Sequence, residues 1–98
     1  MIYRLVVPPV EGVEELRVLQ WHKAEGEDVR LEQLLVELET DKAIVEVRSP
    51  RACVLRKIAV RQGEWTLTGP PLAWFSDTTE EPLLLDAASD LMPRWEVT

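Results

Sequence analysis

The sequence predicts an all-β domain, a sandwich or flattened barrel, on three observations. Short apolar segments alternate at period two between residues 2 and 76. Prolines and glycines fall between those segments. No long 3.6-residue periodicity appears before residue 80.

The elements follow in order. Ile2–Val7 is the first expected strand, and Pro8-Pro9 ends it because proline cannot donate to a ladder. A loop around Gly12 leads to Leu16–His22. Gly26 then breaks the chain before a short piece near Val29. Leu34–Glu39 and Ala43–Arg48 flank the stretch Glu39-Thr40-Asp41-Lys42-Ala43. Thr, Asp and Lys suit a solvated turn, so this region reads as a β-hairpin with Lys42 at its tip. Pro50 closes the second arm. Cys53–Ala59 follows, then Gly63, a short piece near Thr66, the Gly69-Pro70-Pro71 break and Leu72–Phe75.

A repeat organises these elements. Residues 25–38 can be laid over 62–75 at an offset of 37, so that Gly26 meets Gly63, Glu27 meets Glu64, Leu35 meets Leu72 and Leu38 meets Phe75. Two copies suggest a pseudo-twofold between two interlocked β units, since a solenoid needs at least three. Subtracting or adding the offset from Lys42 gives Leu5 and Thr79. The chain is therefore expected to enter and leave the domain opposite the lysine turn.

Composition sets bounds. Ninety-eight residues with 46% apolar content make one small folded domain. A net charge of −7 argues against unspecific nucleic-acid binding and favours cationic partners. One cysteine, Cys53, and one histidine, His22, leave no internal disulfide, no cysteine-cluster or multi-histidine metal site and no evident catalytic constellation. His22 reads as a partly buried strand residue. The start of the chain has no signal-peptide architecture, and no stretch is long and apolar enough for a membrane span. A cytoplasmic location is expected.

Several stretches carry a resemblance. Pro9-Val10-Glu11-Gly12-Val13-Glu14-Glu15 is similar to a Gly/Glu-rich loop after the first strand. Trp21 stands at an aromatic position. Glu25-Gly26-Glu27-Asp28-Val29 is similar to an E-G-D-x-V turn, and Ser49-Pro50 to the S-P turn after a lysine hairpin. Gly63, Thr66, Gly69 and Leu72 match a closing G-x-x-V-x-x-G-x-x-L. In this order and spacing, roughly residues 2–76 resemble the lipoyl domains of 2-oxo acid dehydrogenase complexes.

The resemblance implies two four-stranded antiparallel sheets with the lysine turn at one end. It implies covalent lipoate on Lys42, with Asp41 and Ala43 as the flanks of the modified residue. The chain would then be a carrier and not an enzyme, shuttling acyl groups and reducing equivalents on a swinging arm. The implied partners are a lipoate-attaching enzyme, a thiamine-dependent decarboxylase, an acyltransferase and dihydrolipoyl dehydrogenase. Two alternatives stand beside it: an unmodified lipoyl-like scaffold or binding module, and a biotin carrier. Biotin carriers have Met-Lys-Met where this chain has Asp41-Lys42-Ala43, which disfavours biotin. Glu37, Glu39, Asp41 and Glu46 around the turn read either as solvated strand faces or as an electrostatic lure for basic partners.

Two departures are expected to matter. Leu16 and Cys53 replace family glycines, and the offset makes them mates. Either the paired backbone conformations no longer need glycine, or Leu16 and Cys53 fill space between the sheets, with a redox role for Cys53 as the lesser reading. The carrier domain is expected over residues 1–77. The tail, 78–98, lacks the alanine- and proline-rich character of acyltransferase linkers, which favours a small free-standing protein. Leu83–Met92 reads as a short amphipathic helix ending before Pro93. The tail's apolar residues are expected to cover an outer face bearing Trp65 and Trp74.

Overall fold

The computed structural model describes residues 1–7 and 11–97. Pro9 and Val10, at the start of the expected Gly/Glu-rich loop, lie outside the described residues. The strands are β1 (Ile2–Val6), β2 (Glu15–Trp21), β3 (Asp28–Val29), β4 (Leu34–Glu39), β5 (Ile44–Arg48), β6 (Cys53–Ile58), β7 (Trp65–Leu67), β8 (Pro71–Ser76), β9 (Ser89–Leu91) and β10 (Arg94–Val97). They form two five-stranded sheets, ordered β3-β6-β8-β1-β9 and β10-β5-β4-β2-β7. Every pairing is antiparallel except β1 with β9.

The pseudo-twofold extends to individual hydrogen bonds. Val18 faces Leu38 across β2–β4, and their mates Leu55 and Phe75 face each other across β6–β8. Both pairs of strands shift register at equivalent points, between Val18 and Gln20 and between Leu55 and Lys57. The Gly26 N–H donates to Leu55 O at 2.7 Å, and the Gly63 N–H to Val18 O at 2.7 Å. Glu27 accepts from the Ala24 N–H at 2.6 Å, as Glu64 does from Arg61 at 2.6 Å. Each half therefore closes its turn with the backbone of the other.

Between the sheets lie Leu5, Leu16, Val18, Leu35, Val36, Leu38, Val47, Leu55, Leu72 and Phe75, all buried. Leu16 and Cys53 belong to this core, so both replacements fill the space between the sheets. Trp21 packs on its edge and donates from Nε1 to Val60 O at 2.8 Å.

The tail corrects three expectations. Each sheet has five strands instead of four, because β9 and β10 add to the β1 and β5 edges. The expected helix over Leu83–Met92 is reduced to a 3-10 turn at Leu85–Ala87. Pro82 and Pro93 bracket too short a stretch for a stable helix, whereas two open sheet edges offer unpaired backbone groups to any strand that reaches them. The tail also does not cover the tryptophans. Trp65 stays 59% exposed, and Trp74 is half-buried on an outer face beneath Lys57, whose Nζ lies 5.9 Å from the ring centroid. Instead Leu91, only 2% exposed, enters the core, and Trp95 packs against it.

Candidate functional site

Lys42 occupies the hairpin between β4 and β5. The last ladder pair is Glu39 with Ile44, which leaves a four-residue turn, Thr40–Ala43. The Thr40 N–H closes it by donating to Ala43 O at 2.9 Å. The Thr40 hydroxyl accepts from the Lys42 N–H at 3.2 Å and from the Ala43 N–H at 3.1 Å. It also donates to Ala43 O at 3.1 Å. One hydroxyl therefore pins the backbone of the lysine and of the residue after it. Asp41 and Lys42 are exposed, while Ala43 is half-buried.

The lysine side chain lies over Gly12. A methyl group at Gly12 would sit 2.5 Å from Lys42 Nζ, and Gly12 has φ of +82°. The left-handed backbone calls for glycine there, whereas the amine, at the end of a flexible exposed side chain, could move aside. Among the described residues, no carboxylate forms an ion pair with Lys42.

The surrounding acids divide by partner. Glu37 and Glu46 face each other across β4–β5, and Glu46 faces Glu96 across β5–β10. Like charges so placed repel. Arg48 relieves the pair Glu46 and Glu96, and an imidazole stands against Glu37. His22 Nε2 lies 2.6 Å from Glu37, and Arg48 reaches Glu46 at 3.4 Å and Glu96 at 3.2 Å. Glu39 lies 3.8 Å from Arg17. These three acids of the hairpin are satisfied within the domain. Asp41, beside the lysine, has no such ion pair among the described residues.

An apolar cavity of about 330 Å³ opens beside the turn, with Lys42, Thr40 and Ala43 on its rim. An exposed, unpaired amine on a pinned turn, next to apolar walls, suits attachment of an acyl arm. Cys53 does not contribute. It sits in the core near Ser49, and loss of solvation raises its thiol pKa, which keeps it protonated. Among the described residues, no helix is long and apolar enough to cross a membrane.

Sequence reasoning located Asp41, Lys42 and Ala43 and brought them to one exposed turn. It missed the Thr40 hydroxyl, for which a Thr opening a four-residue turn was the available signal. It also missed the contact of Gly12 with the lysine, which is a tertiary approach with no local signature.

Comparison with known proteins agrees with this geometry. The Biotin_lipoyl family, described as "Biotin-requiring enzyme", matches residues 6–75. Similar proteins include the dihydrolipoyllysine-residue succinyltransferase component of 2-oxoglutarate dehydrogenase complex of Buchnera aphidicola subsp. Baizongia pistaciae. It is 35% identical over 69% of this chain and 17% of its own length. The protein of the same description from Cupriavidus necator is 43% identical over 55% of this chain and 13% of its own. That from Haemophilus influenzae is 32% identical over 82% of this chain and 20% of its own. The chain thus spans a fifth or less of the length of these relatives.

Proposed function

The chain belongs to the biotinyl/lipoyl attachment family, as a lipoyl domain of the 2-oxo acid dehydrogenase type, and we propose that it carries covalent lipoate on Lys42. The observation that carries this reading is the exposed Lys42 amine on the turn held by Thr40. In the attachment step the amine loses a proton and attacks an activated lipoyl carboxyl. The activating group departs and an amide remains, so one positive charge is removed. Thr40 fixes where the lysine backbone points. Asp41 and Ala43 flank the amine as the marks by which an attaching enzyme selects it over Lys23 and Lys57.

A bound lipoyl group supplies a disulfide able to take up acyl groups and reducing equivalents. The protein's contribution is tethering, which keeps that group at high effective concentration near several active sites. The proposed partners are a lipoate-attaching enzyme, a thiamine-dependent decarboxylase, an acyltransferase and dihydrolipoyl dehydrogenase. The relatives are components of 2-oxoglutarate dehydrogenase complexes, which makes a short dicarboxylic acyl group the first cargo to test. A buried free thiol suits a reducing compartment, so we place the carrier in the cytoplasm. We take residues 1–77 as the carrier unit and 78–98 as the segment that widens its two sheets.

Co-expression with a lipoate ligase, followed by peptide mapping, tests the reading. We expect one adduct, on Lys42, and none after Lys42→Ala, whose far-UV spectrum stays that of the parent. Biotin protein ligase should modify the chain poorly, since Asp41 and Ala43 replace the methionine flanks. No adduct with any lipoylating enzyme would leave the unmodified scaffold, and efficient biotinylation of Lys42 would reassign the cofactor.

A further inference from the structure

The apolar cavity beside Lys42 has a feature that the two-sheet core alone would not provide. One wall comes from Val13 and Leu16, and the other from Val45, Trp95 and Val97. The last two belong to β10, supplied by the tail. Val97 faces Val45, and Val45 faces Leu38, so the three form one row across neighbouring strands. Residues paired in register point to the same face. Leu38 ends that row in the core, yet Val97 at its other end is 72% exposed. An inward-facing apolar side chain is therefore left uncovered within reach of the one lysine that rims the cavity.

We propose that this groove is a docking site for the lipoyl arm of the same molecule. The inference rests on the lipoyl reading of Lys42. The occupant follows from the rim. A group attached at Lys42 is tethered beside the groove and needs no encounter from solution. The size also fits, because about 330 Å³ falls at the small-ligand end of pocket volumes and is too little for a helix or a second chain. The chemistry agrees as well. The arm is an alkyl chain ending in a sulfur ring, the walls are aliphatic, and Trp95 offers an aromatic surface of the kind sulfur favours. Docking there would shield the ring disulfide between transfers, and partner enzymes would have to draw the arm out. Leu16, standing where the family has glycine, supplies part of the wall.

The test uses the full chain, lipoylated and unmodified, with intact mass confirming attachment. In methyl- and indole-resolved NMR, attachment should shift the Val13, Val97 and Trp95 signals and leave Trp74 unchanged. Contacts should run from the lipoyl methylenes to Trp95 and Val97. Reduction of the ring by a water-soluble phosphine gives a second measure. An arm docked nine-tenths of the time is reduced about tenfold more slowly than free lipoamide. Val97→Asp, at an exposed position, should abolish the contacts and restore the free rate. If no adduct forms, the lipoyl reading fails and docking falls with it. If the adduct forms but Trp95 and Val97 do not respond and reduction runs at the free rate, docking alone is overturned and the carrier reading stands.

Discussion

Thr40 decides whether the hairpin presents Lys42 in one pose or many. Thr40→Val keeps the β-branched shape and removes only the hydroxyl. That hydroxyl accepts from two backbone N–H groups, at 3.2 Å from Lys42 and 3.1 Å from Ala43. A typical internal hydrogen bond contributes about 0.5–1.5 kcal/mol net. The Lys42 N–H is exposed and can bond to water instead, whereas Ala43 is half-buried. The expected loss is therefore about 1–2 kcal/mol, near the cost of one bond and a fraction of the second. For a domain of this size each kcal/mol lowers the melting temperature by roughly 4–8 °C. The closing bond from the Thr40 N–H to Ala43 O remains, so the hairpin should survive while its tip loosens. A loosened tip must be reordered in the attaching enzyme, and fixing one residue's backbone costs about 1–2 kcal/mol, or roughly tenfold in kcat/KM for lipoylation. Differential scanning calorimetry and a ligase time course would measure both quantities. Thr40→Ser restores the hydroxyl and should recover most of each. If Thr40→Val melts with the parent and is lipoylated at the parental rate, the hydroxyl does not organise the turn.

Three further outcomes follow from other parts of the molecule. Leu91→Ala should cost about 2–5 kcal/mol in urea unfolding, because that tail residue is buried in the core; a change near zero would make the tail an independent linker. Asp77 has its carboxyl pKa lowered, first by the Tyr3 hydroxyl, which donates to it at 2.9 Å, and then by nearby positive charge. Its stabilisation is fully present above the ordinary carboxylate value of 3.8 and fades as the pH falls below it. Asp77→Asn should then be less stable than the parent at neutral pH and approach it in strong acid, as read from urea midpoints. Cys53 is buried with its thiol pKa raised, so iodoacetamide should label it slowly in the native state and rapidly in denaturant. Fast native labelling would reopen a redox role.

The sequence was legible where the signal is local. Leu34–Glu39 carries its alternation within six residues and forms β4 with those bounds. The offset of 37 was visible through Gly26 and Gly63, whose N–H groups make equivalent bonds in the two halves. The tail was not legible, because edge pairing is non-local. Ser89-Asp90-Leu91 becomes a strand through Tyr3, Arg4 and Leu5 at the other end of the chain. Nothing in its own pattern favours that partner over a helix. Charge was only partly legible for a similar reason. Glu37 and Glu46 read as exposed acids, but their opposition across β4–β5, the contact of Glu37 with His22 and the ion pair of Glu46 with Arg48 depend on tertiary placement.

The pseudo-twofold explains why only one end of the domain suits an arm. Asp77 is the mate of Thr40 at the offset of 37, and each organises its own end by accepting hydrogen bonds. Thr40 uses a neutral hydroxyl and binds the backbone of its turn, and among the described residues the lysine beside it forms no ion pair. Asp77 uses a carboxylate, and its bonds come from charged and phenolic donors remote in sequence: Tyr3 at 2.9 Å, Arg51 at 3.2 Å and the amino terminus of Met1 at 3.2 Å. Arg51 in turn lies 4.4 Å from the centre of the Tyr3 ring. At the lysine end the corresponding wall is apolar, with Leu16 and Val45 facing the cavity. The replacements at Leu16 and Cys53 are symmetric in the repeat and unlike in consequence. Cys53 is enclosed behind Ser49 and Arg51, while Leu16 borders the space that an acylated Lys42 would share. A carboxylate at position 40 in place of threonine would bring charge to the rim of that space and compete for the lysine amine, so the neutral hydroxyl is what lets one fold hold a closed end and an addressable one.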